Sequence, residues 1–116
     1  MNRLRIFLLL SWLVAAPIEA GAAGHLRFWN LTSVTITQLN LAPAGTSNWG
    51  PEQCRNDPDK SVSVDERLNL TGVGAGRYDV KLTDQKGRTC LIRNVELKDS
   101  GPYAFSLADE DLTSCQ

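Results

Sequence analysis

A single histidine, His25, is the chain's whole supply of the side chain that titrates near neutral pH. It stands alone at the amino-terminal margin, so a triad or a general base built on histidine has nothing to assemble from. The three cysteines, Cys54, Cys90 and Cys115, show no Cys-X-X-Cys spacing, which excludes the usual tetrahedral zinc site. A cysteine nucleophile lacks its basic partner for the same reason. Charge is scarce in net terms: 12 basic and 13 acidic side chains give a formal −1. That balance leaves no electrostatic footprint for nucleic acid or for an anionic membrane surface. Outside the amino-terminal segment there is no amphipathic helical run of useful length. These absences together predict a protein that is not an enzyme and that needs no cofactor.

What is present begins with Arg3 and Arg5, followed by an apolar run over residues 6–16 broken only by Ser11. Small residues and Pro17 come next. This is the layout of a secretory signal peptide, too short for an ordinary membrane anchor. Cleavage fits after Ala20 or after Ala23, and the absence of an Arg-Arg pair favours general export over the twin-arginine route. The expected division is therefore residues 1–23 as signal peptide and residues 24–116 as one domain, periplasmic or secreted, with no stable membrane insertion. Loss of Arg3, Arg5 and Glu19 leaves 10 basic and 12 acidic side chains, a net charge of about −2. A chain of this size closes one core with little margin, and a disulfide would support it. The spacing leaves open which two of Cys54, Cys90 and Cys115 pair.

Alternation of apolar and polar residues predicts the strands. Leu26, Phe28 and Asn30 share one parity; Val34 and Ile36 begin a second run, and the apolar positions then slip to Leu39 and Leu41. A bulge near Thr37 and Gln38 reconciles them. Leu68 and Leu70 mark another strand. Tyr78, Val80 and Leu82 alternate with Asp79, Lys81 and Thr83, and Gly87 closes a turn into a return strand carrying Cys90 and Ile92. Tyr78 is thereby assigned to the core and Asp79 to the solvent face. Beyond Arg93 the parity shifts to Val95 and Leu97, and Tyr103, Phe105 and Leu107 form a last strand. The glycines of the GVGAG stretch at 72–76 read as a turn, because no helix pattern follows them. The sum is an all-β sandwich of six to seven short strands, mostly antiparallel, immunoglobulin-like or transthyretin-like.

Residues 42–66 form the longest aperiodic stretch and are the expected seat of function, with Trp49 and Cys54 as candidate pins, one by burial and one by a disulfide. Within it, Asp57, Asp59, Ser61 and Glu66 fall at the third, fifth, seventh and twelfth places of a twelve-residue calcium loop. Arg55 at the first place and Lys60 at the sixth depart from that pattern. A calcium-binding or calcium-stabilised loop is accordingly the second reading, beside a polar loop in which aspartates favour turns. Asn30-Leu31-Thr32 and Asn69-Leu70-Thr71 are glycosylation-type triplets, more simply explained as strand and turn composition. Trp29 falls on the parity opposite to Phe28, which makes it either the second face of a covered strand or an exposed aromatic that binds a protein or a sugar.

Several short motifs resemble those of small exported bacterial β-proteins of unknown function. They are Phe28-Trp29-Asn30-Leu31-Thr32, the strand at 34–43 ending in proline, Trp49-Gly50-Pro51, Gly76-Arg77-Tyr78-Asp79-Val80, Gly87-Arg88 and Asn94-Val95-Glu96-Leu97. Proteins similar to these carry the labels "Tat pathway signal protein" and "argininosuccinate lyase". Neither suits these residues: no twin arginine is present, and that lyase is a large helical enzyme. The resemblance implies an exported β-domain and no catalytic residue. The function expected is binding of a protein or envelope partner, without catalysis.

Overall fold

The computed structural model describes residues 26–116, so the expected signal segment and His25 lie outside the described residues. Six strands form among the described residues: β1 (Arg27–Leu31), β2 (Ile36–Pro43), β3 (Arg67–Asn69), β4 (Gly76–Asp84), β5 (Thr89–Leu97) and β6 (Phe105–Ala108). They make two three-stranded sheets, ordered β3-β1-β6 and β2-β4-β5. The all-β, two-sheet architecture expected from the alternation is what forms. The inward parity of each sheet supplies the core, with Phe28 of β1, Leu39 of β2, Leu82 of β4 and Leu107 of β6 buried. The rings of Phe28 and Phe105, paired in register, lie 4.8 Å apart at their centroids and fill the middle of the small sheet's inner face.

Both parity slips correspond to irregularities in the ladder. The register of β2 against β4 shifts between Ile36 and Gln38. The register of β4 against β5 shifts after Tyr78, so that Arg93 and Asn94 together oppose Asp79. Asn94 takes the left-handed backbone conformation (φ 58°), which asparagine tolerates better than most residues. The bulge also corrects the assignment of Asp79. Its side chain leaves the outer face of the sheet, as the alternation requires, but it is only 2% exposed. Its carboxylate accepts the Asn94 and Gly45 backbone N–H groups at 2.9 and 3.1 Å, with the Arg93 guanidinium at 3.4 Å. An outward parity is buried here because a turn folds over it.

The pairing is mostly antiparallel, as expected, and β1–β6 is the parallel exception; β6 arrives from the other sheet after a crossing segment, and without a hairpin nothing forces an antiparallel pair. One further expectation is corrected. Tyr103 does not join the last strand's buried row. The backbone turns before β6, Ala104 takes the buried place, and Tyr103 swings to the outer face.

Candidate functional site

With Phe28 and Asn30 turned into the core, strand periodicity sends Arg27, Trp29 and Leu31 to the outer face of the small sheet. Trp29 pairs directly with Arg67 of β3, which sets the Arg67 guanidinium over the indole, 4.1 Å from the ring centroid. The Tyr103 ring meets the indole edge-on at 4.9 Å. The indole N–H donates to Asp65 Oδ1 at 2.9 Å. Asp65 occupies a left-handed turn position (φ 67°) just before β3, and the Arg67 guanidinium also donates to its carbonyl oxygen. Arg27 donates to the Pro102 carbonyl oxygen through Nη2 and Nε, at 2.8 and 3.2 Å. That clamp fixes the turn from which Tyr103 projects. Leu31, 42% exposed, extends the same face.

The result is a row of Asp65, Arg67, Trp29 and Tyr103 held by specific contacts on a surface the core does not use. Beside it, between the end of β5 and β6, opens a cleft of about 390 Å³ lined by Val95, Lys98, Pro102, Tyr103 and Phe105 among others. Such a face offers stacking area, a cationic rim and a cleft of mixed polar and apolar lining, which suits recognition of a partner's surface. The Trp29 indole is half-buried, and the partners that cover it lie on the outer face rather than in the core.

The chain covers the free edge of β2 with its own long loop. Residues of the long loop bond the outer edge of β2: Gly50 N–H to Leu41 C=O, Gln53 N–H to Leu39 C=O, and Val62 with Ile36 in both directions. The Glu52 carboxylate accepts the Leu39 and Cys54 N–H groups at 2.8 and 2.6 Å. Gln53, buried, clamps the loop to Thr71, its amide donating to the Thr71 carbonyl at 2.8 Å and accepting the Thr71 N–H at 2.9 Å. The loop thus shields an edge that would otherwise pair with another chain. Neither expected pin acts in the expected way: Cys54 anchors the loop by burial in the core and not by a disulfide. Trp49 is half-exposed under the Lys81 ammonium, 4.5 Å from its centroid. Cys54 is buried and unpaired, its thiol 3.6 Å from the Ile36 carbonyl. Burial and the Glu52 charge push that thiol far above its ordinary range. The disulfide joins Cys90 to Cys115.

Of the four candidate calcium ligands, the structure brings Asp57 and Glu66 together. Asp57 is buried, and its Oδ2 accepts the Asp59 N–H at 2.8 Å in a local turn. Glu66 Oε1 accepts the Ser63 N–H at 2.6 Å. A hydrogen bond between the two carboxyl groups raises Glu66 above its ordinary value and lowers Asp57, the arrangement of two acids sharing a proton. The Asp59 side chain stays exposed, and Ser61 turns its backbone toward Asp57. Among the described residues no group of three or more histidine, cysteine or acidic side chains is placed to hold a metal ion. Lys60, in the sixth place where calcium loops put glycine, does adopt a left-handed backbone (φ 60°).

The glycosylation-type triplets have different fates. Asn30 is fully buried and sits at the centre of a polar knot. Its amide nitrogen lies 2.9, 3.0 and 3.1 Å from the carbonyl oxygens of Val34, Val62 and Ser63. Its side-chain oxygen accepts the Thr32 backbone N–H and hydroxyl at 3.0 and 2.6 Å. Asn69 is exposed on β3. The burial of Asn30 was signalled by its parity with Leu26 and Phe28, and that of Asp84 by its parity with Val80 and Leu82; the burial of Gln53, in an aperiodic stretch, carried no such signal.

In comparison with known proteins, the chain matches no family model, no curated protein and no solved structure.

Proposed function

We propose that this chain is an exported, non-enzymatic β-domain that binds a protein or cell-envelope partner through the outer face of the β3-β1-β6 sheet. One observation carries the reading: Trp29 is organised by Arg67, Asp65 and Tyr103 on a face that contributes nothing to the core. Tryptophan and arginine clustered on one face are the side chains that dominate protein–protein recognition. The perturbed carboxylates support a role without catalysis. Asp79 and Asp84 each spend their oxygens on two backbone N–H groups and an arginine, which is structural work. The Cys90–Cys115 disulfide fits an oxidising compartment, and no helix of the described residues is long and apolar enough to cross a membrane.

Photo-crosslinking tests this. A photoreactive phenylalanine analogue at Leu31 should trap a discrete partner from the envelope fraction, and the same analogue at Leu91, on the other sheet, should not. Equal trapping from both positions would refute the assignment of the face.

A further inference from the structure

After β6 the chain makes a 3₁₀ turn at Asp109–Asp111 and then crosses from the small sheet to the edge of β5 in the large one. The turn is anchored at both ends of its travel. Asp109 accepts the Ser33 N–H and hydroxyl at 2.8 and 3.1 Å, and Asp111 accepts the Ala108 N–H at 2.8 Å. The last residues then lie antiparallel to β5. Thr89 and Gln116 exchange both backbone bonds at 2.8 Å, and the Leu91 N–H donates to the Ser114 carbonyl at 2.9 Å. Between these bonds sits the Cys90–Cys115 disulfide. Apart from Leu112 and Cys115 at the margin of the core, this strap buries no apolar side chain. Three backbone bonds, one disulfide and two marginal contacts therefore hold the cover on the edge.

We propose that the strap is a redox-controlled cover for β5, closed in the disulfide state and released when a dithiol reduces Cys90–Cys115. Cys115 is half-exposed whereas Cys90 is buried, so attack falls on the Cys115 sulfur. A thiolate of the dithiol bonds to Cys115 Sγ as the S–S bond breaks, and the Cys90 sulfur leaves and takes a proton. The second thiol of the dithiol then displaces Cys115, which is protonated in turn. Two protein thiols form and the dithiol becomes a disulfide, a balanced two-electron exchange. Cys54 takes no part, because it is wholly buried with its thiol held protonated. Release withdraws the acceptors of the Thr89 and Leu91 N–H groups and bares that half of the edge. The β4–β5 ladder and the core contain no bond to the strap's backbone and stay in place.

Native-state hydrogen exchange of the folded domain, with and without dithiothreitol, tests the device. Reduction should speed exchange at the Thr89 and Leu91 amides by at least about tenfold while the Val80 and Leu82 amides change by less than about threefold. Cys115→Ser in the absence of reductant should reproduce that pattern. Unchanged protection at Thr89 and Leu91 would overturn the proposal, since the backbone bonds alone would then hold the cover. Equal acceleration at all four amides would also overturn it, since the disulfide would then be a staple of the whole fold.

Discussion

Three carbonyl oxygens converge on the side-chain nitrogen of Asn30, and a methyl group in its place would take one donor from each and strip the buried Thr32 N–H of its acceptor. Asn30→Ala should therefore cost about 1–3 kcal/mol in urea unfolding, although the residue touches no proposed partner. Mass spectrometry of the folded protein should find Asn30 unmodified in any host. Asp79 and Asp84 set the acid limb of stability. For Asp79, the Asn94 and Gly45 N–H groups hold the carboxyl below its usual range against the opposing effect of burial. For Asp84, burial is the largest influence and opposes ionisation, but the Arg88 and Lys86 N–H groups and the Arg88 guanidinium outweigh it. A folded-state pKa below the unfolded one means that the unfolded chain binds more protons. Their contribution is complete above about pH 4 and is lost as pH falls through the folded values. Asp79→Asn and Asp84→Asn should each lower the melting temperature at pH 6 and flatten its decline below pH 4. Glu66 has the opposite sign. The proton it shares with Asp57 is lost as pH rises through its raised value, so Glu66→Gln should gain stability relative to wild type at pH 7 and lose that advantage near pH 4.

The strands were legible because a half-buried strand writes its burial into the sequence every second residue. Even the two irregularities could be read, since a bulge must shift the parity of everything after it, as at Leu39 and at Val95. Tertiary decisions were not legible. Nothing local to Phe105 dictates that β6 lies parallel to β1, and nothing around Asp79 announces that the turn at Gly45 will fold over it. The long loop looked like the place for function because it lacks periodicity. Its bonds to β2 are instead those of an irregular edge cover, which no two- or four-residue spacing records. Cutting the clamp between that loop and Thr71 with Gln53→Ala should cost about 1–3 kcal/mol in urea unfolding. Amide exchange at Gly50 and Val62 should accelerate, while the β4–β5 hairpin keeps its protection.

At the scale of the molecule, the two outer faces are unlike each other. The large sheet presents Asn40, Lys81 and Leu91 in one cross-strand row, with Trp49 resting on the lysine. The small sheet presents Trp29, Arg67, Tyr103 and Leu31 beside the cleft at the end of β5. The account turns on the small sheet being the partner face. The measurement that tests it most directly is capture from the envelope fraction by three immobilised baits: wild type, Trp29→Ala and Trp49→Ala, each first shown by circular dichroism to be folded. The account predicts one partner retained by wild type and by Trp49→Ala and reduced at least about tenfold by Trp29→Ala, the loss of about 1.4 kcal/mol or more of binding. Undiminished capture by Trp29→Ala, or loss with Trp49→Ala alone, would contradict it.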